Sequence, residues 1–264
     1  MPKSEANPKV IAAADLLQKA EADRRQVPPI VGDLGTGNVE AAYQVQAELT
    51  RRRLAGGARL VGRKIGLTSA AVQQQLGVNE PDFGALFQEM DIEHGGEVPT
   101  GQLIQPRIEA EVAMVLDRDL DRPDTTMAEL MRAVAFVAPA LEIVDSRIAD
   151  WKISIVDTIA DNGSSARFVL GNTIRKLTDV DLLTCGMMLT RNNNVVSVGS
   201  GAACLGHPLK AALWLVRKLA GAGEPLRAGD TVLTGALGPM VGAQKGEDYE
   251  ARISDIGTVR VRFG

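Results

Sequence analysis

Apolar positions recur at spacings of three and four near the start of the chain. Val10, Ile11, Ala14, Leu17 and Ala20 share one helical face, with charges elsewhere. A Pro28-Pro29 break and a turn from Gly32 to Gly37 follow. Asn38 then stands as the N-cap of a helix carrying Ala42, Tyr43, Leu49 and Leu54, closed by Gly56-Gly57. Near its end, Arg51-Arg52-Arg53 suit a solvated helix terminus or, alternatively, an anion site.

From Arg59 onward the pattern shortens to strands and turns. Leu60 to Gly66 predicts a strand, and Thr68-Ser69 cap a short helix through Leu76 that Gly77 stops. Glu109 to Leu116 is a strand. Thr126 and Glu129 have capping-box spacing and open a helix through about Val137, with a buried strand from Ala140 to Val144. Met187–Thr190 and Val195–Val198 flank Asn192-Asn193-Asn194, a hairpin signal. A helix begins near His207-Pro208 and ends at the Gly221–Gly223 turn. Thr231–Thr234, Tyr249–Ile253 and Thr258–Phe263 are strands. In the last, Val259, Val261 and Phe263 alternate with Arg260 and Arg262. Strands outnumber crossover helices in the second half, so a doubly wound parallel sheet fits poorly. The expected class is α+β, with a helical N-terminal region (1–58) and a β-rich catalytic domain (59–264).

Composition narrows the chemistry. Aromatics are 3% of the 264 residues, so the core is mainly aliphatic. The net charge of −4, with so few stacking side chains, argues against a nucleic-acid partner. Two cysteines, Cys185 and Cys204, build neither a disulfide framework nor a zinc knuckle. With only His94 and His207, a multi-histidine metal site is excluded. Any metal must be held by carboxylates, which favours Mg²⁺ or Mn²⁺. The opening Met1–Asn7 has no apolar signal core and no run reaches membrane-span length, so the expected setting is cytoplasmic, without a membrane partner.

The chemically informative stretch is Pro106-Arg107-Ile108-Glu109-Ala110-Glu111-Val112. Strand alternation points Glu109 and Glu111 the same way, roughly 7 Å apart at their Cα atoms. Such a pair is either a solvated strand edge or a site that holds something positive. Glu142 lies inside the apolar run Ala135–Val144, and a buried carboxylate needs a partner. A hard cation shared with the other two glutamates would serve, as would an ion pair with Arg107 or Arg147. Lys64, between Gly62 and Gly66, could stabilise an enolate or be a solvated lysine. Asp82 in Pro81-Asp82-Phe83-Gly84 suits a proton shuttle or an Asx turn. Asp161-Asn162-Gly163-Ser164-Ser165 suits an anion or a turn, and His207 a helix cap or catalysis. Thr234-Gly235 could bring backbone N–H groups to a carboxylate or simply turn the chain.

Several of these segments together resemble one family. They are Lys64-Ile65-Gly66-Leu67-Thr68, Gln73-Gln74-Gln75-Leu76-Gly77-Val78, Pro81–Gly84, Pro106–Glu111, Pro139-Ala140-Leu141-Glu142, Ala160-Asp161-Asn162, Cys204–Pro208 and Thr234–Met240. Over nearly its whole length the chain resembles the 2-hydroxypenta-2,4-dienoate (2-keto-4-pentenoate) hydratases of the fumarylacetoacetate hydrolase superfamily. The resemblance implies a mixed β-roll core preceded by helices, in a homo-oligomer. It implies Glu109, Glu111 and Glu142 as ligands of Mg²⁺ or Mn²⁺, and places the family's site lysine and aspartate on Lys64 and Asp82. A polar substrate loop falls on Asn162 to Ser165, and a carboxylate-binding Thr-Gly on Thr234-Gly235. The implied substrate is a small 2-hydroxydienoate or 2-oxo acid of aromatic meta-cleavage catabolism. One departure is Arg167, which is more similar to the related 4-oxalocrotonate decarboxylases, where it would hold a second carboxylate. A role as partner subunit of such a decarboxylase is the remaining expectation.

Overall fold

The computed structural model describes residues 7–264; the polar opening segment, residues 1–6, lies outside the described residues. Three helices come first: α1 (Pro8–Asp23), α2 (Val31–Leu34) and α3 (Val39–Ala55). The body follows as β1 (Leu60–Gly66), α4 (Ala70–Leu76), β2 (Asp82–Phe87), β3 (Asp91–Ile92), β4 (Glu97–Val98), β5 (Arg107–Leu116), α5 (Met127–Ala133) and β6 (Val134–Val144). It closes with α6 (Ile155–Ala160), β7 (Ser165–Leu170), β8 (Gly186–Arg191), β9 (Asn194–Ser200), α7 (Pro208–Gly221), β10 (Thr231–Ala236), β11 (Val241–Gly242), β12 (Asp248–Ile253) and β13 (Gly257–Phe263).

Local signals explain most boundaries. Asn7 and Asn38 accept hydrogen bonds from Lys9 and Ala41 backbone N–H groups and so cap α1 and α3. His207 Nδ1 accepts from Leu209 N at 3.0 Å, so its imidazole is a helix cap. The arginines ending α3 are ion-paired: Arg51 and Arg52 hold Glu48, Arg52 reaches Asp15 and Arg53 reaches Glu21. Asn192 and Asn193 take left-handed φ values of 50° and 65°, which turn β8 into β9.

Three expectations change. The Gly32–Gly37 turn begins with the short helix α2, because Ile30 and Val31 N–H groups bond the buried Asp157 carboxylate. The helix opened by Thr126 stops at Ala133, and Val134–Val144 is one continuous strand. Its β-branched start pairs with β5, and that tertiary pairing overrides the helical pattern. The Pro81–Gly84 turn is instead the start of β2, buried along its whole length and therefore without the alternation that marks a half-exposed strand.

The larger sheet runs β2-β1-β10-β5-β6-β7-β3, with β11 beside β5; a five-stranded sheet runs β4-β13-β12-β8-β9. The β1–β10 pair is parallel, whereas β10–β5, β5–β6 and β6–β7 are antiparallel. One apolar cluster, including Ile108, Val112, Leu141, Leu215 and Phe263, fills the space between the sheets and α7. A second joins α1–α3 to α6, and a third, with Ala113, Ala140, Phe168 and Leu233, lines the opposite face of the curled larger sheet. This is the expected mixed β-roll with a helical N-terminal region.

Candidate active site

Register places the acidic residues. Glu109 lies directly across from Glu142 on β6, and Glu111 lies across from Ala140, so all three carboxylates share one face of the sheet. They bring one ligand atom each within 4.8 Å of one another. Glu111 and Glu142 are fully buried. Glu111 Oε1 and both Glu142 carboxylate oxygens have no hydrogen-bond partner. Three converging carboxylates with orphaned oxygens fit a hard divalent cation, and the solvated-edge alternative for Glu109 and Glu111 is ruled out.

The cation nearest this cluster is Lys64. It is buried, not solvated, with Nζ 3.1 Å from Glu142 Oε2. The two groups form an ion pair without hydrogen-bond alignment, so the Glu142 oxygens keep their lone pairs for another partner. The other candidate partners of Glu142 are engaged elsewhere. Arg147 donates to Asp161 and to the Asp145 and Asp161 carbonyls, and Arg107 stacks 4.5 Å over the Trp151 ring.

Asp82 opens β2 opposite Gly66, on the same face as Lys64. Its Oδ2 accepts from Thr158 Oγ1 at 3.1 Å, while Oδ1 is buried without a partner. Asp82 is a strand residue, not an Asx turn. Burial and then the repulsion of Glu142 push Glu109 up to about 7. Burial, then Glu142 and Glu109, hold Glu111 well above the usual carboxylate range. Burial raises Asp82 against the pull of Lys64. Burial alone would lower the Lys64 ammonium, and the surrounding carboxylates, Glu142 foremost, reverse that.

These directions set a pH dependence. In the metal-free protein Glu109 gains its proton near neutrality, against 4.5 for an ordinary glutamate. Its stabilising contribution is complete below 4.5 and is lost as pH rises through about 7. The metal-free protein should therefore melt lower at pH 8 than at pH 6. Divalent-cation affinity should rise over the same interval, with on the order of one proton released per ion bound. Calorimetry in two buffers of different ionisation enthalpy measures that release; none at pH 7 would mean the glutamates are already ionised.

The loop between α6 and β7 turns through three successive left-handed residues, Asn162, Gly163 and Ser164, with φ of 57°, 60° and 54°. Gly163 packs on the Lys64 side chain. Ser164 and Ser165 hydroxyls are buried and unpartnered, free to meet a ligand. Asn162 differs from expectation. Its amide accepts from Ala85 N and donates to Ala85 O, so it pairs along the edge of β2 and keeps one further N–H and one lone pair.

At Thr234-Gly235 the expected carboxylate-binding groups face inward. Thr234 Oγ1 donates to Val112 O, and Gly235 N donates to Glu111 Oε2 at 2.7 Å. The N–H thus orients a glutamate. Gly235 has a φ of 108°, and a Cβ there would sit 2.4 Å from both Thr68 Cγ2 and Oγ1. Gly235→Ala should destabilise by about 1–3 kcal/mol from backbone strain alone and weaken cation binding. Thermal unfolding with and without Mg²⁺ checks both.

Arg167 lies opposite Ile143, beside a bulge in the β6–β7 pairing, while its neighbour Phe168 is the residue facing Glu142. Its guanidinium bonds Gln102 and the Ala166 carbonyl. The structure does not bring it to the carboxylates.

Sequence patterns did not signal Thr158 or Gln46, and showed Asp161 only as part of a polar loop, not as the partner of Arg147. Thr158 bonds Asp82, Asp161 bonds Arg147, and Gln46 binds the Phe83 and Ile159 carbonyls. Their polarity inside otherwise apolar helical or loop segments was the only available sign.

Known proteins match this arrangement. The family described as fumarylacetoacetate (FAA) hydrolase, C-terminal, matches residues 64–263. The chain is 52% identical to 2-keto-4-pentenoate hydratase 2 of Dechloromonas aromatica, over 96% of each chain. It is 53% identical to the TodF product hydratase of Pseudomonas putida F1, over 95% of this chain and 94% of that one. The structure of 4-oxalocrotonate decarboxylase from Pseudomonas putida G7, complexed with magnesium and adipate, superposes with a TM-score of 0.94 at 35% identity, covering 99% of this chain and 100% of that one. The chain belongs to the fumarylacetoacetate hydrolase superfamily, in its 2-keto-4-pentenoate hydratase branch.

Proposed function

We propose that this hydro-lyase adds water to 2-hydroxypenta-2,4-dienoate, giving 4-hydroxy-2-oxopentanoate. The observation that carries the reading is the Glu109-Glu111-Glu142 cluster beside Lys64, with Glu111 and Glu142 fully buried and their oxygens orphaned, in a chain about half identical to named hydratases. The three glutamates would hold Mg²⁺ or Mn²⁺, which supplies Lewis acidity toward the C1 carboxylate and C2 oxygen of a 2-oxo acid.

The protein's own groups do the rest. Lys64 offsets negative charge that develops on the C2 oxygen. Asp82 carries the proton: as the 2-hydroxyl loses its proton and C2 becomes a ketone, C5 gains one, leaving a 2-oxo-3-enoate. Water then adds across C3 and C4, with the hydroxyl on C4 and the proton on C3. Ser164 and Ser165, whose buried hydroxyls have no partner, would orient the substrate. The apolar floor of Ala113, Ala140 and Phe168 excludes bulk water. This assignment draws support from their common burial on one face of the roll.

Decarboxylation of a 2-oxo dicarboxylate is the second reading, favoured by the superposition on 4-oxalocrotonate decarboxylase. Arg167 is bonded to Gln102 and the Ala166 carbonyl, and the identity of about one half to named hydratases favours hydration. The test incubates purified protein and Mg²⁺ with freshly generated 2-hydroxypenta-2,4-dienoate, following dienol absorbance and product. The expected product is 4-hydroxy-2-oxopentanoate. Its absence, with CO₂ released from 2-oxohex-3-enedioate, would install the decarboxylase instead.

Among the described residues, no helix is long and apolar enough to cross a membrane.

A further inference from the structure

Asp82 is the first residue of β2, at the end of the sheet order, so only β1 pairs with its strand. An aspartate carboxylate turns easily about its last torsion, which has broad wells. A proton carrier in that setting needs something to decide which oxygen faces the reacting carbon.

Two buried groups outside the carboxylate cluster meet that need. Thr158, on α6, donates its hydroxyl to Asp82 Oδ2 at 3.1 Å, and both residues are buried. The bond leaves Oδ1 on the other side, against Gly66, where a Cβ would lie 2.1 Å from Oδ1 and 3.4 Å from Lys64 Nζ. The free oxygen therefore lies on the Lys64 side of Asp82. Gln46, on α3, then fixes the backbones that carry this pair. Its single amide nitrogen donates to Phe83 O and to Ile159 O, each at 2.8 Å. Those carbonyls belong to the residues immediately following Asp82 and Thr158. The N-terminus of α6 is held as well, since Asp157 accepts from Ile30 N, Val31 N and Ser154.

We propose that Thr158 and Gln46 are positioning residues for Asp82: the Thr158 hydroxyl selects which carboxylate oxygen faces the substrate, and the Gln46 amide locks β2 to α6 so that the selection holds. Gln46 lies in the N-terminal helical region, before the 64–263 segment that matches the family, so the helices complete the site. The proposal rests on Asp82 as the proton carrier, and its test separates the two.

The test measures kcat and KM with freshly generated 2-hydroxypenta-2,4-dienoate and Mg²⁺ for Thr158→Val, Thr158→Ser, Gln46→Met, Asp82→Asn and the double variant Asp82→Asn/Thr158→Val. Losing a hydrogen bond to a charged group should lower kcat of Thr158→Val by roughly tenfold to a hundredfold. KM and Mg²⁺ affinity should be unchanged, and Thr158→Ser should recover most of the rate. Gln46→Met should fall in the same direction. In the Asp82→Asn background, Thr158→Val should add no further loss, because the hydroxyl acts through that carboxylate. Wild-type kcat in Thr158→Val beside a crippled Asp82→Asn would overturn the positioning role alone, and so would additive losses in the double variant. Wild-type kcat in Asp82→Asn would overturn the proton-carrier reading and the proposal with it. If Thr158→Val does not fold, Thr158→Ser and Gln46→Met decide: full activity in Gln46→Met, or a large loss in Thr158→Ser, counts against the proposal.

Discussion

Glu111→Gln should lose cation binding and turnover together, by on the order of a thousandfold in kcat/KM, about 4 kcal/mol of transition-state stabilisation. The Glu111 carboxylate has one oxygen committed to the Gly235 N–H and one without a partner. A glutamine can keep the first contact only by turning its carbonyl to Gly235. That turns its NH₂, a donor, toward Glu109 and Glu142, where a metal ligand must be an acceptor. Burial and its glutamate neighbours already disfavour the ionised form of Glu111, so a neutral amide there should leave the metal-free variant melting no lower than the wild type. Loss of Mg²⁺-induced thermal stabilisation without loss of metal-free stability is the signature. Full activity without added metal in this variant would refute the site.

Lys64→Met should behave in the opposite sense toward the cation. Lys64 is buried against Glu142 and feels Asp82, Glu109 and Glu111 as well. Removing its charge leaves buried carboxylates uncompensated, a change that costs about 3–5 kcal/mol when one member of a buried pair is deleted. The metal-free variant should therefore melt well below the wild type, and saturating Mg²⁺ should recover much of the difference. With a competing positive charge gone, Mg²⁺ should bind more tightly. Turnover should nonetheless fall roughly a hundredfold to a thousandfold, the usual effect of losing a group that stabilises a developing oxyanion. Titration calorimetry and kinetics on one preparation test the pairing of tighter binding with slower turnover. Weaker Mg²⁺ binding would show that Lys64 holds the glutamates in place and does not compete with the ion.

Features set by neighbours along the chain were legible before the fold was seen. Alternation placed Glu109 and Glu111 on one face, and a carboxylate inside an apolar run marked Glu142 as needing a partner. Asn7 and Asn38 caps follow the same logic. Features set by neighbours across the sheet were hidden. Lys64 reads equally well as surface or core until the β1–β10 and β1–β2 registers bury it. The partner of Arg147 is fixed by the return of the chain through α6, which brings Asp161 rather than Glu142 to it. Asn162 has the composition of a binding loop, yet its amide pairs with Ala85, and no local pattern distinguishes those uses. β2, buried throughout, lacks the periodicity that exposes a strand to sequence reading.

The parallel pairing of β1 with β10 has a consequence for the order of events during synthesis. Gly62, Arg63 and Lys64 take their partners from Thr231, Val232 and Leu233. At ~5–20 residues per second, ribosomes deliver the second strand roughly ten to thirty seconds after the first. By the end of that interval Glu109, Glu111 and Glu142 have been made, but Glu111 still lacks the Gly235 N–H that aims it. The cation site that the three glutamates would form is therefore incomplete until the strand carrying Gly235 has been made, which places any uptake of metal after β10.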